Sequence, residues 1–528
     1  MQVRRAALLV VLAASSSARA GDDVQQAAPE PRDDLDLRIT LSSFLYRETG
    51  ADAPPLAAQA AGLQNASPVH RLFGDLRLEL GDAGLALDAR VRQTTSARYQ
   101  SGAEGGGEYE VRTLSYRLGP RATHLTIGRQ IIDPVGATKI DGLAFTQALA
   151  TTVDATVFAG LFPQLGSRSV DTDYVRIRNS DGTTGALLLP ATGGLGVGYT
   201  NPSFHGDVGL AGIYVGQDVP GATAEDKSRV FAASSGYWRP GSTFDVYHFV
   251  LVDVAGGNGV NVTNGSVGLD ARPVTNLQLT LAFNHVSTDL LQIAARNLLT
   301  DPDPTAIGLV QNNLAVLRIS QDMARAGATL ALAARRFELS AMAGFHRRPA
   351  VSVALADGSG SAVFPEARSA DATLVALDRR SLAGTRISIA GSLTEPFGHA
   401  MPNRSRGVVG RLVVEKPFAN ERGSVEADVM VEHFTDLGSP QPCATTTPLA
   451  CYGTSTTTAG QAGALVSWRI GKEWLLIADA HAGYQKIGSR YLVPMDPTDP
   501  MSPLIDLPVA WPTVVSITGF LRLQWRYR

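Results

Sequence analysis

The chain has 528 residues, 44% of them hydrophobic, with 53 glycines and a formal net charge of −3. That balance excludes a disordered chain, which has too few apolar residues to bury, and a nucleic-acid binder, whose binding face is basic. No apolar run after the N-terminus approaches the ~18 residues of a membrane-spanning helix, so the chain either stays in water or crosses a membrane as strands.

The N-terminus opens with Arg4 and Arg5, then an apolar run from Ala6 to Ala14, then the small-x-small pattern Ala18-Arg19-Ala20. This pattern predicts a secretory signal peptide over residues 1–20. The run is too short for the ~20 residues of a spanning helix. No cysteine follows the expected cleavage point, so no lipid anchor is expected. Residues 21–34 read as a polar, proline-containing periplasmic lead-in.

From residue 35 to the end, segments of period two recur, and period two marks a strand. Leu35, Leu37, Ile39 and Leu41 alternate with Asp36, Arg38 and Thr40. Leu76, Leu78 and Leu80 alternate with Asp75, Arg77 and Glu79. After the turn Gly81–Gly84, Leu85, Leu87, Ala89 and Val91 alternate with Asp88, Arg90 and Arg92, which makes the pair a hairpin. Further segments follow at 109–118, 124–132, 153–161, 208–215, 229–238, 244–254, 277–286, 326–335, 337–346, 370–378, 386–395, 406–416, 424–433, 462–470 and 475–486. Weaker ones lie near 140–148, 192–200, 259–271 and 314–320. Short turns (Gly81–Gly84, Gly119–Thr123, Arg239–Ser242, Gly471–Trp474) alternate with long loops (48–69, 162–190, 287–312, 347–367, 436–457, 487–511). Short turns on one rim and long loops on the other fit an all-β chain folded as a single transmembrane antiparallel β-barrel over 35–528, with roughly 18–22 strands and an even number. The lead-in is too short for a separate plug.

The last segment, Thr513 to Arg528, carries the pattern furthest. Val515, Ile517, Gly519, Leu521, Leu523, Trp525 and Tyr527 share one face, and Ser516, Thr518, Phe520, Arg522, Gln524, Arg526 and Arg528 the other. A strand apolar on one face, arginine-bearing on the other and finished with Trp and Tyr suits a barrel wall. It resembles the final strand of bacterial outer-membrane proteins, which the barrel-assembly machinery reads, except that Arg528 follows the aromatic. The stretch Gly128-Arg129-Gln130, followed by Gly136-Ala137-Thr138-Lys139-Ile140-Asp141-Gly142-Leu143, resembles porin-like Gram-negative barrels of the alginate-export type. In that setting Arg129 and Asp141 are expected to be pore-facing partners; the alternative is a structural ion pair within the wall.

Catalytic signatures are absent: there is no G-x-S-x-G, H-E-x-x-H, phosphate loop or G-x-G-x-x-G. The nine histidines are scattered singly; His124 and His433 read as wall or rim residues. No catalytic residue, metal or cofactor is expected. The acidic turns Thr300-Asp301-Pro302-Asp303 and Asp496-Pro497-Thr498-Asp499 read as ordinary turns before they read as calcium loops. Cys443 and Cys451 lie in one polar loop and are expected to form a disulfide in an exported protein.

The expected function is a porin-like outer-membrane channel that passes small polar or anionic solutes or exports a polymer. The alternative is an outer-membrane enzyme or surface adhesin built on the same barrel. Pore-lining positions by alternation are Arg38, Arg77, Arg90, Arg92, Arg129, Asp141, Arg522 and Arg526. Arg112 and Glu110 join them if a bulge near Thr113 resets the phase, because Leu114, Tyr116 and Leu118 point outward. Rings of arginine favour anions, and interleaved carboxylates reduce that to a weak preference. Residues 287–312 carry a helix cap and one apolar helical face, and are expected to fold back as a partial constriction. The expected partners are outer-membrane lipid and lipopolysaccharide, the barrel-assembly machinery and small polar or anionic solutes, with no nucleic acid.

Overall fold

The structure is a computed structural model. It describes residues 35–527 apart from the segments 50–68, 95–106, 164–169, 288–319, 355–360, 398–404, 437–451 and 495–503 and shorter breaks of one to five residues. The predicted signal peptide, the lead-in, the Cys443–Cys451 disulfide and all of the predicted 287–312 constriction except Ser287 lie outside the described residues.

The strands, in chain order, are β1 (Leu35–Thr49), β2 (Val69–Leu80), β3 (Leu85–Thr94), β4 (Gly107–Leu118), β5 (Thr123–Ile132), β6 (Thr138–Ala150), β7 (Val153–Leu161), β8 (Arg176–Arg178), β9 (Thr184–Leu187), β10 (Ala191–Asn201), β11 (Phe204–Tyr214), β12 (Ser228–Trp238), β13 (Phe244–Gly256), β14 (Asn261–Val274), β15 (Leu277–Val286), β16 (Gln321–Leu332), β17 (Phe337–Arg348), β18 (Val351–Ala354), β19 (Ser361–Phe364), β20 (Ala367–Leu382), β21 (Thr385–Phe397), β22 (Ser405–Phe418), β23 (Gly423–Asp436), β24 (Tyr452–Ile470), β25 (Trp474–Pro494), β26 (Leu504–Ala510) and β27 (Val514–Tyr527). Each wall strand pairs antiparallel with its neighbours, and β27 returns to pair with β1 from Leu37↔Tyr527 to Thr49↔Val515. The result is a single closed 22-stranded barrel, the top of the range expected from the sequence. β8–β9 and β18–β19 are small hairpins in the β7–β10 and β17–β20 connections, and β26 extends the far end of β25.

The two faces of the wall obey the alternation. Leu41, Leu114, Leu195, Leu281, Leu412 and Leu521 are all more than two-fifths exposed, and each sits at an outward position. A continuous belt of exposed leucine, valine and phenylalanine is tolerated only against lipid. Aromatics finish that belt at the short-turn rim. Trp474 stacks on Trp525 and Trp525 on Tyr527, with ring centroids 6.2 and 6.3 Å apart. Phe418 meets Trp468 at 6.4 Å and Trp238 meets Phe244 at 5.4 Å. Such rings favour the membrane–water boundary. Among the described residues no helix is long and apolar enough to cross a membrane. The wall is that of an outer-membrane β-barrel, with both described chain ends at the short-turn rim.

Two irregularities shape the interior. The β3–β4 register slips between Asp88 and Ala89, so that Asp88 faces Thr113 while Ala89 faces Val111. Arg112 is the extra residue, and the expected phase reset therefore falls where the sequence placed it. The second irregularity is at β5. It pairs with β4 only from Leu114↔Arg129 to Leu118↔Leu125, and Gly128 adopts φ 115° at the point of departure. A Cβ there would lie 2.2 Å from the Leu114 carbonyl oxygen, so only glycine allows it.

Candidate functional site: an arginine seam and an inserted hairpin tip

The seam where the barrel closes carries three aligned rows of inward residues. One row runs Arg526, Arg38, Arg77, Asp88 across β27, β1, β2 and β3. The next runs Gln524, Thr40, Asp75, Arg90, Glu110, and the third carries Arg522, Ser42, Arg92 and Glu108. The inward positions follow directly from the alternation of each strand. Arg526 holds Asp36 at 2.6 Å and Arg77 holds Glu79 at 2.5 Å. Arg90 pairs with Asp75 and Arg92 with Glu108. Arg522 donates to the Ser42 hydroxyl at 3.2 Å and lies 5.0 Å from the centre of the Phe520 ring.

Arg38 differs from the others. It lies between Arg526 and Arg77 in one row, strands about 5 Å apart, and its Nε has no hydrogen-bond partner among the described residues. Three guanidinium groups side by side repel one another. The flanking Asp36 and Glu79, with Asp88 at the end of the row, offset that repulsion.

Arg129 and Asp141 are brought together as the sequence suggested, in a two-pronged contact of 2.6 Å on each side. Their setting differs from that of the seam. Alternation puts them on the same side of the β5–β6 hairpin as Ile127 and Leu143, which are outward lower down. The Arg129 side chain is only 10% exposed and Asp173, which it also grips at 2.5 Å, 3%. Lys139 adds a contact to Asp173 at 3.6 Å, and the Tyr174 hydroxyl donates to Asp141 at 2.6 Å. Burial and that hydrogen bond to Asp141 raise the Tyr174 hydroxyl pKa well above its ordinary range. These five residues form a clasp that holds the β7–β10 connection onto the hairpin. The geometry favours the structural alternative for this pair over a pore-lining role.

The opposite side of the same hairpin enters the barrel. Its tip is a 3-10 turn, Asp133–Val135, and packs on β10, β11 and β12. Ile132, Val135, Ile140 and Phe158 join Ala211, Ile213, Phe231, Ala233 and Leu251 in one buried apolar cluster. The last five are inward positions of β11, β12 and β13, so the cluster lies on the lumen side. The floor is glycine. A Cβ on Gly196 would lie 2.4 Å from the Pro134 Cβ, and one on Gly209 2.5 Å from the Pro134 carbonyl oxygen. Burying a side chain such as Val135 contributes about 1.5–3 kcal/mol. Beside the cluster, Arg229 and Asp253 form a buried ion pair at 2.8 Å, with the guanidinium 4.8 Å from the Phe231 ring centre.

Sequence reasoning missed a further feature. Glu426, Asp428 and Glu432 are successive or near-successive inward residues of β23, with Asp479 and His481 inward on β25. Arg411 approaches Asp428 at 3.6 Å, and His481 reaches Asp479 at 2.5 Å. The signal was present in S-V-E-A-D-V-M-V-E, whose acids all have one parity. Among the described residues no cluster of His, Cys, Asp and Glu has the form of a metal site.

No protein-family model and no curated protein matches the chain. Solved structures similar to it are large outer-membrane barrels. OccAB1 of Acinetobacter baumannii is 7% identical over 96% of this chain and 100% of that one, with a TM-score of 0.38. OccAB2 of the same organism is 10% identical over 94% and 98%, with a TM-score of 0.37. A bacterial polysaccharide outer membrane secretin is 8% identical over 71% and 99%, with a TM-score of 0.29. At these values the likeness carries no argument about function, which rests on this chain's own inner wall.

Proposed function

We propose that the barrel is a Gram-negative outer-membrane channel that passes small polar or anionic solutes with a weak preference for anions. The observation that carries this reading is the arginine row Arg526–Arg38–Arg77, continued by Arg90, Arg92, Arg112 and Arg522 on the same inner wall. These arginines alternate with Asp36, Asp75, Glu79, Asp88, Glu108 and Glu110, so the local excess of positive charge is small. Rings of arginine draw anions into a pore, and neighbouring carboxylates keep the potential shallow. The acidic stretch on β23 and β25 holds the preference weak. The inserted tip narrows the lumen beside β10–β13 and supports selection by size, a role the sequence had given to residues 287–312. Lipid and lipopolysaccharide are the proposed surroundings of the outer belt, and the terminal strand is the segment proposed for recognition by the barrel-assembly machinery.

Ion conductance and reversal potential in a planar bilayer test the reading. The parent protein is expected to conduct, with reversal on the anion side under a salt gradient. Arg90→Gln with Arg92→Gln is expected to move the reversal potential toward cations while heat-modifiable gel mobility stays unchanged. A parent that inserts and carries no current overturns the channel.

A further inference from the structure

Of the twelve residues of β4, only Leu114 to Leu118 pair with β5. Among the described residues, 107–113 has β3 on one side and no strand on the other. β5 in turn leaves β4 above Arg129, where its partner is β6 alone. A continuous wall leaves no backbone group unpaired in lipid, because each costs several kcal/mol there. Among the described residues the β4–β5 ladder therefore stops at Leu114↔Arg129, and this split above it has a built cause in Gly128 and in the seating of the hairpin tip on β10–β12.

The lining of the split has two chemistries. Toward the lipid, Tyr109 and Leu114 on β4 and Ile131 on the hairpin are large, apolar and about half exposed, as is Val170 in the connection that carries Asp173. Toward the lumen stands Arg112, turned inward by the bulge. Its carboxylate contacts are long, 3.4 Å to Glu110 and 3.8 Å to Asp88. Arg129 closes the near end of the split by donating from Nη1 to the Val111 carbonyl at 2.9 Å.

We propose that the β4–β5 split is a lateral portal for an anionic amphiphile, with its carboxylate or phosphate head on Arg112 in the lumen and its hydrocarbon chain passing through the split to the lipid. Charge complementarity fixes the head, and the apolar edge fixes the tail. This path is sideways through the wall, so it stands or falls apart from axial conduction.

The test uses the full barrel in lipid bilayers and two photoreactive probes. One is a palmitate with a mid-chain diazirine and the other is an anionic phospholipid with the same group, and adducts are mapped by mass spectrometry. Adducts are expected to concentrate on 107–113 and 129–132 with one or both probes, and which probe labels more distinguishes a free acid from a membrane lipid. The methyl ester of the palmitate probe is expected to label these segments severalfold less. Arg112→Gln is expected to reduce labelling severalfold and Arg112→Lys to retain it, both with normal heat-modifiable mobility. Should Arg112→Gln fail to assemble, the ester comparison on the parent decides. Adducts spread evenly over outward residues such as Leu195, Leu281 and Leu412, or equal labelling by acid and ester, overturn the proposal.

Discussion

Arg526 donates two hydrogen bonds to Asp36, at 3.0 and 2.6 Å, across 490 residues of chain. The pair sits on the inner face where β27 meets β1, a diagonal contact in which Asp36 lies two residues along β1 from Arg38, the register partner of Arg526. It ties the last strand to the first and also supplies one of the carboxylates that offset the arginine row. Both side chains are about a third exposed, so solvent screens the attraction. Asp36→Asn is expected to cost about 1 kcal/mol at most, read as a lower urea midpoint for loss of the heat-modifiable band. Asp36→Arg with Arg526→Asp is expected to recover most of that loss. A double-mutant cycle with no coupling would remove the pair from the account of closure.

The outer face sets a second expectation. Leu521 is 51% exposed at an outward position of β27, and Leu523 shares its parity. Arginine at either position faces hydrocarbon and is expected to cost ~2–4 kcal/mol near the midplane. The measurement is assembly yield and urea stability of each variant. Normal values for both would mean that this face does not meet lipid.

A third concerns the glycine floor. Gly196→Val and Gly209→Val each place a branched side chain where Pro134 already lies. Overpacking of a close-fitted contact costs about 1–3 kcal/mol, and here the relief available is for the tip to lift. The expected outcome is faster hydrogen exchange over 133–137 and a change in single-channel conductance, with the barrel still closed. Unchanged exchange would show that the tip is not seated on β10 and β11.

The tip also has a pH dependence with a definite sign. Burial raises the Asp133 carboxyl pKa above its ordinary value of 3.8, with a further push from Asp207 and a smaller opposing pull from His205. The seated tip thus binds a proton more tightly than the lifted one. Its seating is strongest below 3.8 and weakens as pH rises through the raised value. Protection of the Ala137 amide, which donates to the Asp133 carbonyl at 3.4 Å, is expected to fall over that window beyond the intrinsic rise of exchange with pH. Asp133→Asn is expected to flatten the dependence. An equally steep loss in that variant would assign the effect elsewhere.

Period two made the wall legible because each strand has one face in lipid and one in water. Where both faces are wet, the signal fades while the backbone ladder continues. β24 and β25 show this: Thr456 to Thr458 pair with Lys486 to Gly488 beyond the exposed Tyr484, and three successive threonines put polar residues on both faces. β1 likewise runs past Leu41 through Ser42, Ser43 and Phe44, where polar and apolar residues cease to alternate although Leu45 keeps the outward parity. The arginines of the seam were readable one strand at a time, and the bulge at Arg112 was readable because Leu114, Tyr116 and Leu118 changed parity. The clasp was not. Arg129 and Asp141 could be paired from G-R-Q and I-D-G, but their side of the hairpin depends on Gly128 and on Asp173, 44 residues away from Arg129 in the chain. The apolar tip D-P-V carries no periodicity at all, and its partners on β10–β13 become neighbours only once the wall has curved.

That last dependence gives the tip a second meaning. Pro134 and Val135 touch Gly196 and Gly209 while Gly136 approaches Ala233 and Leu251, so one rigid turn spans four consecutive wall strands from the inside. It fits a single local radius. A wider cylinder would draw β12 and β13 off the turn, and a narrower one would drive β10 into it. The tip thus works as an internal gauge of girth, and a chain that gained or lost a hairpin elsewhere in the wall would have to refit residues 133–136 to close.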